Sequence, residues 1–561
     1  MGKYNSARKS SGFPLTRLLS SLIGVFVGAG IASSASAFVF DSENTDIKMS
    51  WDNTLKYSAA TRLKNANESV ASSSYGGPQQ NTNDGDLNFK KNSLTSNRLD
   101  WLTEFDIRYK NDFGLRVSGA AWYEDVYNHG NDNPGTGYVN TISTPFNRFS
   151  SALRKQNQNG EVKDAFVYGN FNTGESNINL KAGQYTQLYG ETLFFGYNGI
   201  AAAQTPLDLA RALAVPSSQF KEVAMPVKQL STQVQINPWI SAGAYYQVEW
   251  KKNRLPAAGG YFSFADFADV GGETIVLGPG VFVHRGQDLA AKDSGQGGLQ
   301  VKFKLADTEL GLYAAQFHDK MPQFYARPGN NPVDASNIGD YALVYGENIK
   351  TWGASLSTVL GETNVSGELS FRNNMPMVGQ GITVITGPAS DGGNNAAYPV
   401  GNSLHFNTSA ISVLAANRFW DGASFVGELA YNKRLSISKN AAELDPSATQ
   451  GAAGLQFVFQ PEYFQVTPGL DVQLPIGVAY GIHGKSSVAG VSSLMPSLHG
   501  GNITIGVKGD YQKTWQSSLN YTHYYGAKGS VIQYTAPRPE LSYQNFLGDR
   551  DFLSFTLQRT F

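Results

Sequence analysis

The 561-residue chain contains no cysteine, and only 16% of its residues are charged. The absence of cysteine excludes disulfide bonds, thiolate metal sites and a cysteine nucleophile. Soluble domains contain about 25% charged residues, so the surface of this protein is poor in charge. Lys plus Arg number 44 and Asp plus Glu number 45, and this balance argues against nucleic acid as a partner. After residue 37 no run approaches about 18 consecutive apolar residues, so no later segment is predicted to be a transmembrane helix.

The first 37 residues have the layout of a secretory signal peptide. An apolar stretch, 18–31, precedes the small-residue sequence Ala35-Ser36-Ala37. We expect cleavage near Ala37 and a mature chain of residues 38–561. A membrane anchor is the alternative, but the apolar stretch is shorter than the ~20 residues needed to cross a bilayer. The basic residues before it are Lys3, Arg8, Lys9 and Arg17.

The mature sequence is rich in segments in which apolar and polar residues alternate. In 99–109 and in 115–123 most of the large apolar residues fall on one parity, which places them on one face of a β-strand. Such segments come in pairs across short polar connections, for example 110–114. The other connections are long and rich in Gly, Asn and Ser, for example 60–96 and 126–161. Short turns at one end and long loops at the other are typical of an outer-membrane β-barrel.

Eight short turns supply sixteen strands, and the first and last segments add one strand each. We therefore predict an all-β fold, a transmembrane antiparallel β-barrel of about 18 strands, with short periplasmic turns and long extracellular loops. The range is 16–18 because 450–485 divides poorly into strands. A closed barrel pairs its backbone N–H and C=O groups with one another, without water. A large β-sandwich is the alternative fold. The expected location is the outer membrane of a Gram-negative bacterium, in contact with its lipid.

The last segment places Leu553, Phe555, Leu557 and Phe561 on one parity. This pattern resembles the C-terminal signal that the barrel-assembly machinery recognises, so we expect that machinery as a partner. Arg559 departs from the pattern, because an apolar residue is usual at that position.

The segment 178–268 contains an ordered set of short motifs: GQ at a strand end, YGET, PLDL, MPV, YQVEW and PAAGGYFSFAD. Together with the opening FVFD and IKMSWDNTLKY, these motifs resemble the proteobacterial outer-membrane family catalogued as domain of unknown function 1302. Members of that family resemble outer-membrane barrels and tend to be encoded near a periplasmic lipoprotein-sorting-like protein and an RND-type exporter. The resemblance implies those two partners and traffic of hydrophobic or amphipathic molecules. It implies no individual functional residue.

Residues on the polar parity are predicted to line the lumen if the apolar parity faces lipid. Charges of both signs occur there, so they either brace the barrel as salt bridges or screen permeating molecules, and the two roles are compatible. The lumen-lining candidates are Arg98, Asp100, Glu104, Asp106, Arg108, Arg116, Glu124, Lys181, Glu249, Lys251, Glu368, Arg372 and Glu428.

The third long loop, 188–227, is the best candidate for a gate. Thr205 suits the N-cap of a short helix and Pro206 its first position, and apolar residues follow at helical spacing. We expect this loop to fold into the barrel and narrow the lumen, with packing on the outer rim as the alternative. Asp208 and Arg211 are the constriction candidates, and they either pair locally or face the pore.

The loop 252–297 is unusually apolar, since it contains Tyr261, Phe262, Phe264 and Phe267. An exposed apolar loop is costly unless it packs against the protein or binds something. It is either a capture site or plug for a hydrophobic ligand, or it packs over the barrel mouth, or it forms a further strand pair.

No catalytic motif stands out. The seven histidines are scattered, and HExxH, GxSxG and GxxxxGK[ST] are missing, so we predict no enzymatic activity, cofactor or metal. The leading functional hypothesis is an outer-membrane channel or transporter-like barrel for small hydrophobic or amphipathic molecules. The alternative is a receptor, adhesin or envelope scaffold without transport.

Overall fold

The structure is a computed structural model, and the predicted signal peptide lies outside the residues that it describes. The described residues are 38–41, 44–72, 80–110, 112–135, 140–174, 176–215, 220–329, 334–385, 390–488, 490, 495–535 and 538–561.

Eighteen antiparallel strands follow one another around a barrel, each paired with its neighbours along the chain. They are β1 (Ile47–Arg62), β2 (Leu94–Tyr109), β3 (Phe113–Glu124), β4 (Gln158–Thr173), β5 (Ser176–Tyr185), β6 (Val227–Asn237), β7 (Ile240–Gln247), β8 (Gln296–Leu305), β9 (Thr308–Phe317), β10 (Ile349–Leu360), β11 (Thr363–Pro376), β12 (Val400–Leu414), β13 (Gly422–Lys439), β14 (Gly451–Thr467), β15 (Leu470–Gln473 and Ile476–His483), β16 (Gly501–Tyr511), β17 (Trp515–Tyr525) and β18 (Phe552–Thr560).

The barrel is closed, because β18 pairs with β17 on one side and with β1 on the other. In the closing pair Thr54 lies opposite Thr560 and Arg62 lies opposite Phe552. Closure leaves no open sheet edge, so backbone groups are paired all the way round. The predicted all-β antiparallel barrel is confirmed, and its strand number is 18.

The short connections all lie at one end of the barrel, where β1 also begins and β18 ends. Seven of the eight predicted turns fall where the sequence indicates. The eighth follows β14 at 468–469, not within 460–467. The two segments of β15 flank Pro475, which has no backbone N–H to donate, and both segments pair with β14 and β16. This interruption breaks the alternation of apolar and polar residues within 450–485.

The outward side chains of the strands are large and apolar although they are exposed. A surface of this kind is too apolar for contact with water alone and has the period-two pattern of a lipid-facing barrel wall. Examples are Trp51, Leu99, Trp101, Val117, Leu230, Leu299, Trp352, Leu356, Leu369, Ile505, Val507 and Leu519.

The long loops gather at the other end and form a cap over the barrel mouth. Five short strands make a sheet in the order Thr383–Val384, Gln323–Pro328, Gly339–Val344, Val281–Arg285 and Thr274–Gly278, and Ile532–Thr535 pairs with Arg538–Leu541. The helices are α1 (Asp84–Leu87), α2 (Ser151–Asn157), α3 (Leu209–Ala214) and α4 (Phe220–Val223), with single 3₁₀ turns at Val126–Asn128, Ile200–Ala203, Ala335–Asn337 and Ala441–Glu443.

None of the helices in the described part of the chain has the length and apolar character needed to cross a bilayer. A short strand, Phe38–Asp41, precedes β1 and pairs with its residues 48–51, next to the point where β18 ends.

Candidate functional site

The first part of the loop between β5 and β6 runs inside the barrel, which is the first of the two placements considered for 188–227. Its segment 189–204, here called the constriction loop, contacts inward side chains of β7, β9 and β11–β13. The contacts on its two sides differ in chemistry: aromatic packing faces β7 and β9, and charged hydrogen bonds face β11–β13.

Glu368, on β11, holds the middle of the constriction loop through a buried carboxylate. Its two oxygens accept hydrogen bonds from the backbone N–H of Glu191 (2.7 Å), the hydroxyl of Thr192 (2.9 Å) and the backbone N–H of Ile200 (2.9 Å). Gly199 permits this approach, because a Cβ there would overlap both the Thr192 side chain and the carboxylate. The carboxylate thus ties together two parts of the loop that are about ten residues apart.

Glu428, on β13, holds the neighbouring turn of the loop. One carboxylate oxygen accepts from three successive backbone N–H groups, those of Leu193 (3.2 Å), Phe194 (2.5 Å) and Phe195 (2.9 Å). The other oxygen accepts from the side-chain amide of Asn407 at 2.6 Å. Successive N–H groups that point at one anion form a backbone nest, so the loop is shaped around this carboxylate.

Arg372, also on β11, completes the attachment with the opposite charge. Its guanidinium donates to the carbonyl oxygens of Tyr197 (2.9 Å), Asn198 (3.0 Å) and Gly199 (2.7 Å). Hydrogen bonds to charged groups stabilise by about 1.5–3 kcal/mol each. We call Glu368, Arg372 and Glu428 the latch.

The residues that surround Asn198 were not singled out from the sequence. Its side-chain NH₂ donates to the Asn407 carbonyl oxygen at 2.8 Å, and its own oxygen accepts from the Asn432 amide at 3.1 Å and lies 3.0 Å from His405 Nδ1. These partners occupy inward positions of β12 and β13. The rule that polar-parity residues point into the lumen was applied to β11 and β13. The same rule applied to β12 would have identified His405 and Asn407 as inward residues.

The other side of the constriction loop is held by aromatic packing and a buried lysine. Tyr189 packs edge-on against Tyr245 and at a tilt against Tyr313, with ring centres 5.3 and 6.2 Å apart. Lys320, in the loop after β9, points its ammonium at the Ala202 carbonyl at 3.3 Å. Burial lowers the pKa of Lys320 to about 8.

The helix predicted from Thr205 begins later, and its N-cap is Asp208. One carboxylate oxygen of Asp208 accepts from the backbone N–H of Arg211 at 3.0 Å, which caps α3, and the other pairs with Arg254 at 2.7 Å. The partner of the Asp208 side chain is therefore Arg254, not the Arg211 side chain. Arg211 is exposed and interacts electrostatically with Lys56 of β1.

A charged surface lines the lumen along β2 and β3. Arg98 pairs with Asp100 at 2.6 Å, and Arg116 pairs with Glu104 and, at 3.2 Å, with Asp106. Arg116 lies directly opposite Asp106 in the strand register, so the predicted pairing of inward charges between neighbouring strands is present. We call these five residues the charged wall.

Aromatic rings accompany the charges on this side of the lumen. The guanidinium groups of Arg98 and Arg254 both lie near the ring of Trp122, 5.4 and 5.5 Å from its centre. Lys181 of β5 lies over the rings of Phe166 and Tyr185, at 3.7 and 4.1 Å. Cations are attracted to ring faces at such distances, which gives these long side chains fixed positions.

Two further lumen candidates occupy the ends of their strands. Glu124 is buried at the end of β3 and accepts from the Ser96 hydroxyl and the Asn97 backbone N–H, both at 2.6 Å, so it joins strands at the cap end. Arg108 is exposed near the short-turn end of β2.

Glu249 and Lys251 were predicted to point inward from a strand 240–251, but β7 ends at Gln247, so the predicted end of the strand was wrong. Both residues lie in the loop that follows, where they pair with each other at 3.0 Å. The Glu249 carboxylate accepts the backbone N–H of Lys228 at 3.1 Å. The Glu249 side chain therefore accepts the backbone N–H that a longer β7 would have paired with a backbone carbonyl.

The apolar loop candidates form part of the cap. Tyr261, Phe264 and Phe267 are buried, and Phe262 is partly buried. Phe264 and Phe267 pack in one cluster with residues of the cap and α3, while Tyr261 packs against Phe89 with ring centres 5.3 Å apart. Packing over the mouth and a further strand pair, 274–278 with 281–285, are both observed, so these rings are not an open capture surface.

A buried charge network ties the cap to the barrel. Asp86 of α1 pairs with Arg62, at the end of β1, at 2.5 Å and with Arg550, just before β18, at 3.1 Å. Arg550 also donates to the carbonyl oxygens of Tyr261 (2.6 Å) and Ser263 (2.8 Å). Within the described ranges, no group of three or more His, Asp or Glu side chains suits a metal ion.

Solved outer-membrane barrels are similar to this chain at low identity. The outer membrane channel DcaP of Acinetobacter baumannii is 9% identical over 93% of this chain and 99% of its own, with a TM-score of 0.38. OccAB1 of the same species is 10% identical over 95% and 99%, with a TM-score of 0.42. OccD3 of Pseudomonas aeruginosa is 9% identical over 95% of each chain, with a TM-score of 0.38.

None of the curated proteins matches the sequence. The family model described as a protein of unknown function, DUF1302, matches residues 18–561, which is nearly the whole chain. The match agrees with the resemblance of the motifs in 178–268. The chain therefore belongs to the DUF1302 family.

Proposed function

We propose that this protein is an outer-membrane channel that passes small hydrophobic or amphipathic molecules through a constricted lumen. The observation that carries the proposal is the constriction loop, which the latch holds inside the barrel by buried charged hydrogen bonds. A loop fixed at one position narrows the lumen at that position. The charged wall supplies groups of both signs, which screen molecules that pass.

The proposed orientation places the short turns in the periplasm and the cap outside the cell. The apolar outer surface of the barrel suits a bilayer, and both ends of the described barrel lie at the short-turn end. The predicted signal peptide supports export across the inner membrane. The proposed location is the outer membrane.

The test is single-channel conductance of the mature chain in planar bilayers. A Glu368→Ala/Glu428→Ala double variant removes both carboxylates that hold the loop, and we expect larger or more frequently fluctuating current steps than in the unmodified protein. Glu462→Ala is the matched control, because this carboxylate lies on β14 and bonds to Gln460, away from the constriction loop. Steps that change only in the double variant support the proposal, and silence from all three proteins overturns it.

A role without transport, as a receptor, adhesin or envelope scaffold, is favoured by one observation. The cap buries its aromatic residues and covers the barrel mouth with a five-stranded sheet. A permanently closed barrel would give no conductance in either the unmodified protein or the latch variant. The same recording therefore distinguishes the two functions.

The partners expected from the sequence remain proposals. The pattern of the last strand implies the barrel-assembly machinery during insertion, and the family resemblance implies a periplasmic lipoprotein-sorting-like protein and an RND-type exporter during transport. The short-turn end is where a periplasmic partner would bind. Cross-linking from a photoreactive residue at Trp239, which is exposed in the turn after β6, tests this, and capture of neither periplasmic partner would contradict it.

A further inference from the structure

The outer wall of the barrel carries a short polar row at the cap end of β10–β13, beyond its apolar surface. The Asn373 amide on β11 donates to the Asn402 side-chain oxygen on β12 at 2.8 Å, and the Asn402 amide donates to the Ser436 hydroxyl on β13 at 3.0 Å. Lys350 of β10 lies opposite Asn373 and shares the parity of the exposed Trp352, so the row faces outward. We call Lys350, Asn373, Asn402 and Ser436 the rim row.

The rim row lies directly outside a pair of aromatic rings. Trp352 and Phe371, each one outward position closer to the short-turn end, lie opposite each other and stack with ring centres 6.0 Å apart. In membrane barrels aromatic residues gather at the two membrane–water interfaces. Two residues span about 6.6 Å along a strand. The rim row is therefore placed just outside the hydrocarbon, at the depth of the lipid head groups.

The charges on this part of the outer wall are all positive. Lys350 is exposed, and Lys433 lies half-buried opposite Leu404 on the same outward face, where a long side chain reaches along the wall to the head groups. No Asp or Glu occupies an outward position of β10–β13, strands that are described throughout. Glu347, close to Lys350 in the chain, pairs with Lys292 at 3.2 Å, and within the described ranges no carboxylate pairs with Lys350 or Lys433. Basic side chains at this depth attract anionic head groups.

We propose that the rim row, together with Lys433, binds a phosphorylated glycolipid of the outer leaflet, whose acyl chains lie along the apolar wall below. Lys350 and Lys433 belong to strands that are three spacings apart, about 14 Å, so a disaccharide with a phosphate at each end reaches both. The exposed Asn373 amide lies between them, where sugar hydroxyls accept and donate hydrogen bonds. The inference goes beyond the channel function and rests only on the proposed orientation and location.

The site also has a place in the architecture of the channel. It lies on the outer face of β11 and β13, and the inner faces of the same strands carry the latch. A lipid held at the rim row therefore braces the part of the wall to which the constriction loop is tied.

The test is native mass spectrometry of the mature protein in detergent, titrated with diphosphoryl lipid A, monophosphoryl lipid A or phosphatidylglycerol. We expect the lowest apparent Kd for diphosphoryl lipid A, because only this probe presents a phosphate to each lysine. Lys350→Gln and Lys433→Gln should each raise that Kd roughly fivefold, and the double variant roughly thirtyfold, which is the effect of one lysine near an anionic surface applied once or twice. The double Lys→Arg variant keeps both charges and should bind as the unmodified protein does.

Lys228→Gln is the matched control for the location. Lys228 is also exposed on the outward face at the cap end, on β6, but it already pairs with Glu249 at 3.4 Å, so its replacement should leave the Kd unchanged. Equal affinity for the three lipids, or a loss in Lys228→Gln as large as in the double variant, overturns the proposal. Conductance without preference for diphosphoryl lipid A would overturn this inference alone, and that preference without conductance would overturn the channel function alone.

Discussion

At the scale of single residues, the constriction loop depends on close approach as much as on charge. Gly199 has no side chain, and the space that a Cβ would take is occupied by Thr192 and by the carboxylate of Glu368. That carboxylate must reach the backbone N–H of Ile200 at 2.9 Å. Glycine at this position is therefore what lets the loop pack onto its anchor.

Gly199→Ala is expected to push the Glu368 carboxylate away from the loop and to lower the free energy of unfolding by about 1–3 kcal/mol, the usual cost of overpacking. The measurement is urea-induced unfolding in lipid vesicles, with open-channel current noise as a second readout. Gly278→Ala is the control, because a Cβ there meets no atom within 4 Å. Equal stability and noise in the two variants would show that the close approach at Gly199 does not matter.

The sequence predicts which side chains point inward but not what they meet there. Parity on β11 and β13 places Glu368, Arg372 and Glu428 in the lumen, where the expectation was a polar pathway or a brace. Their partners are backbone groups of the constriction loop. The alternation of apolar and polar residues does not show whether a loop or water fills the lumen. Both can form hydrogen bonds with an inward charged side chain.

At the scale of elements, α1 depends on a pair of buried acids. The Asp266 carboxylate accepts the backbone N–H groups of Asn83 (2.8 Å) and Asp84 (3.2 Å) at the start of this helix. Burial raises the pKa of Asp84 to about 7. Burial, with the charge of Asp84 added, raises the pKa of Asp266 well above its usual range, although Arg550 opposes the shift. At a pH between the unfolded and folded pKa values, Asp84 and Asp266 are therefore protonated in the folded cap and ionised in the unfolded chain.

This proton uptake predicts how the stability of the cap changes with pH. A raised folded-state pKa means that stability is greatest below the unfolded value, near pH 4, and falls as pH rises through about 7. We expect hydrogen exchange to show α1 opening more often at pH 8 than at pH 6, after correction for intrinsic exchange.

Asp84→Asn should flatten that dependence, because it removes one of the two titrating groups. Asp132→Asn is the control, since the pKa of this partly exposed acid, paired with Lys90, is lowered. A pH dependence that survives Asp84→Asn unchanged would contradict the assignment to this pair.

Turns were easier to predict than helix ends or broken strands. Short polar connections between alternating segments locate seven of the eight turns, since the signal is local. Pro475 divides β15 without ending its pairing, and a break of this kind looks like a turn in sequence. The start of α3 was misplaced because Thr205 and Asp208 both suit an N-cap. In the structure Asp208 caps the helix and pairs with Arg254, whereas the Thr205 hydroxyl donates to the Met225 carbonyl.

At the scale of the whole molecule, the barrel exists only if its last strand reaches its first. Deleting 552–561 removes β18 and leaves β1 and β17 with open edges. We expect this variant to fail to form a heat-modifiable band in electrophoresis without boiling. Deleting 38–41 should leave the band intact, because β1 remains paired with β2 and β18. Loss of the band in both deletions would contradict closure as the deciding step.

Fold class and strand number were accessible from sequence because they follow from a periodic pattern and a count of turns. The cap was not, since its sheet joins segments from three separate loops and includes parallel pairs. Tyr261 and Phe267 therefore looked like an exposed apolar loop until the segments that cover them were known. Non-local packing of this kind leaves no periodic signal.

The pairing of Asp86 with Arg550 links the two ends of the described chain. The two residues are 464 positions apart, and Arg550 lies just before β18, the strand that closes the barrel. Arg62 pairs with Asp86 from the first strand, whereas Asp549 and Arg550 come from the last segment. The attachment of the cap and the closure of the barrel therefore depend on the same terminal segment.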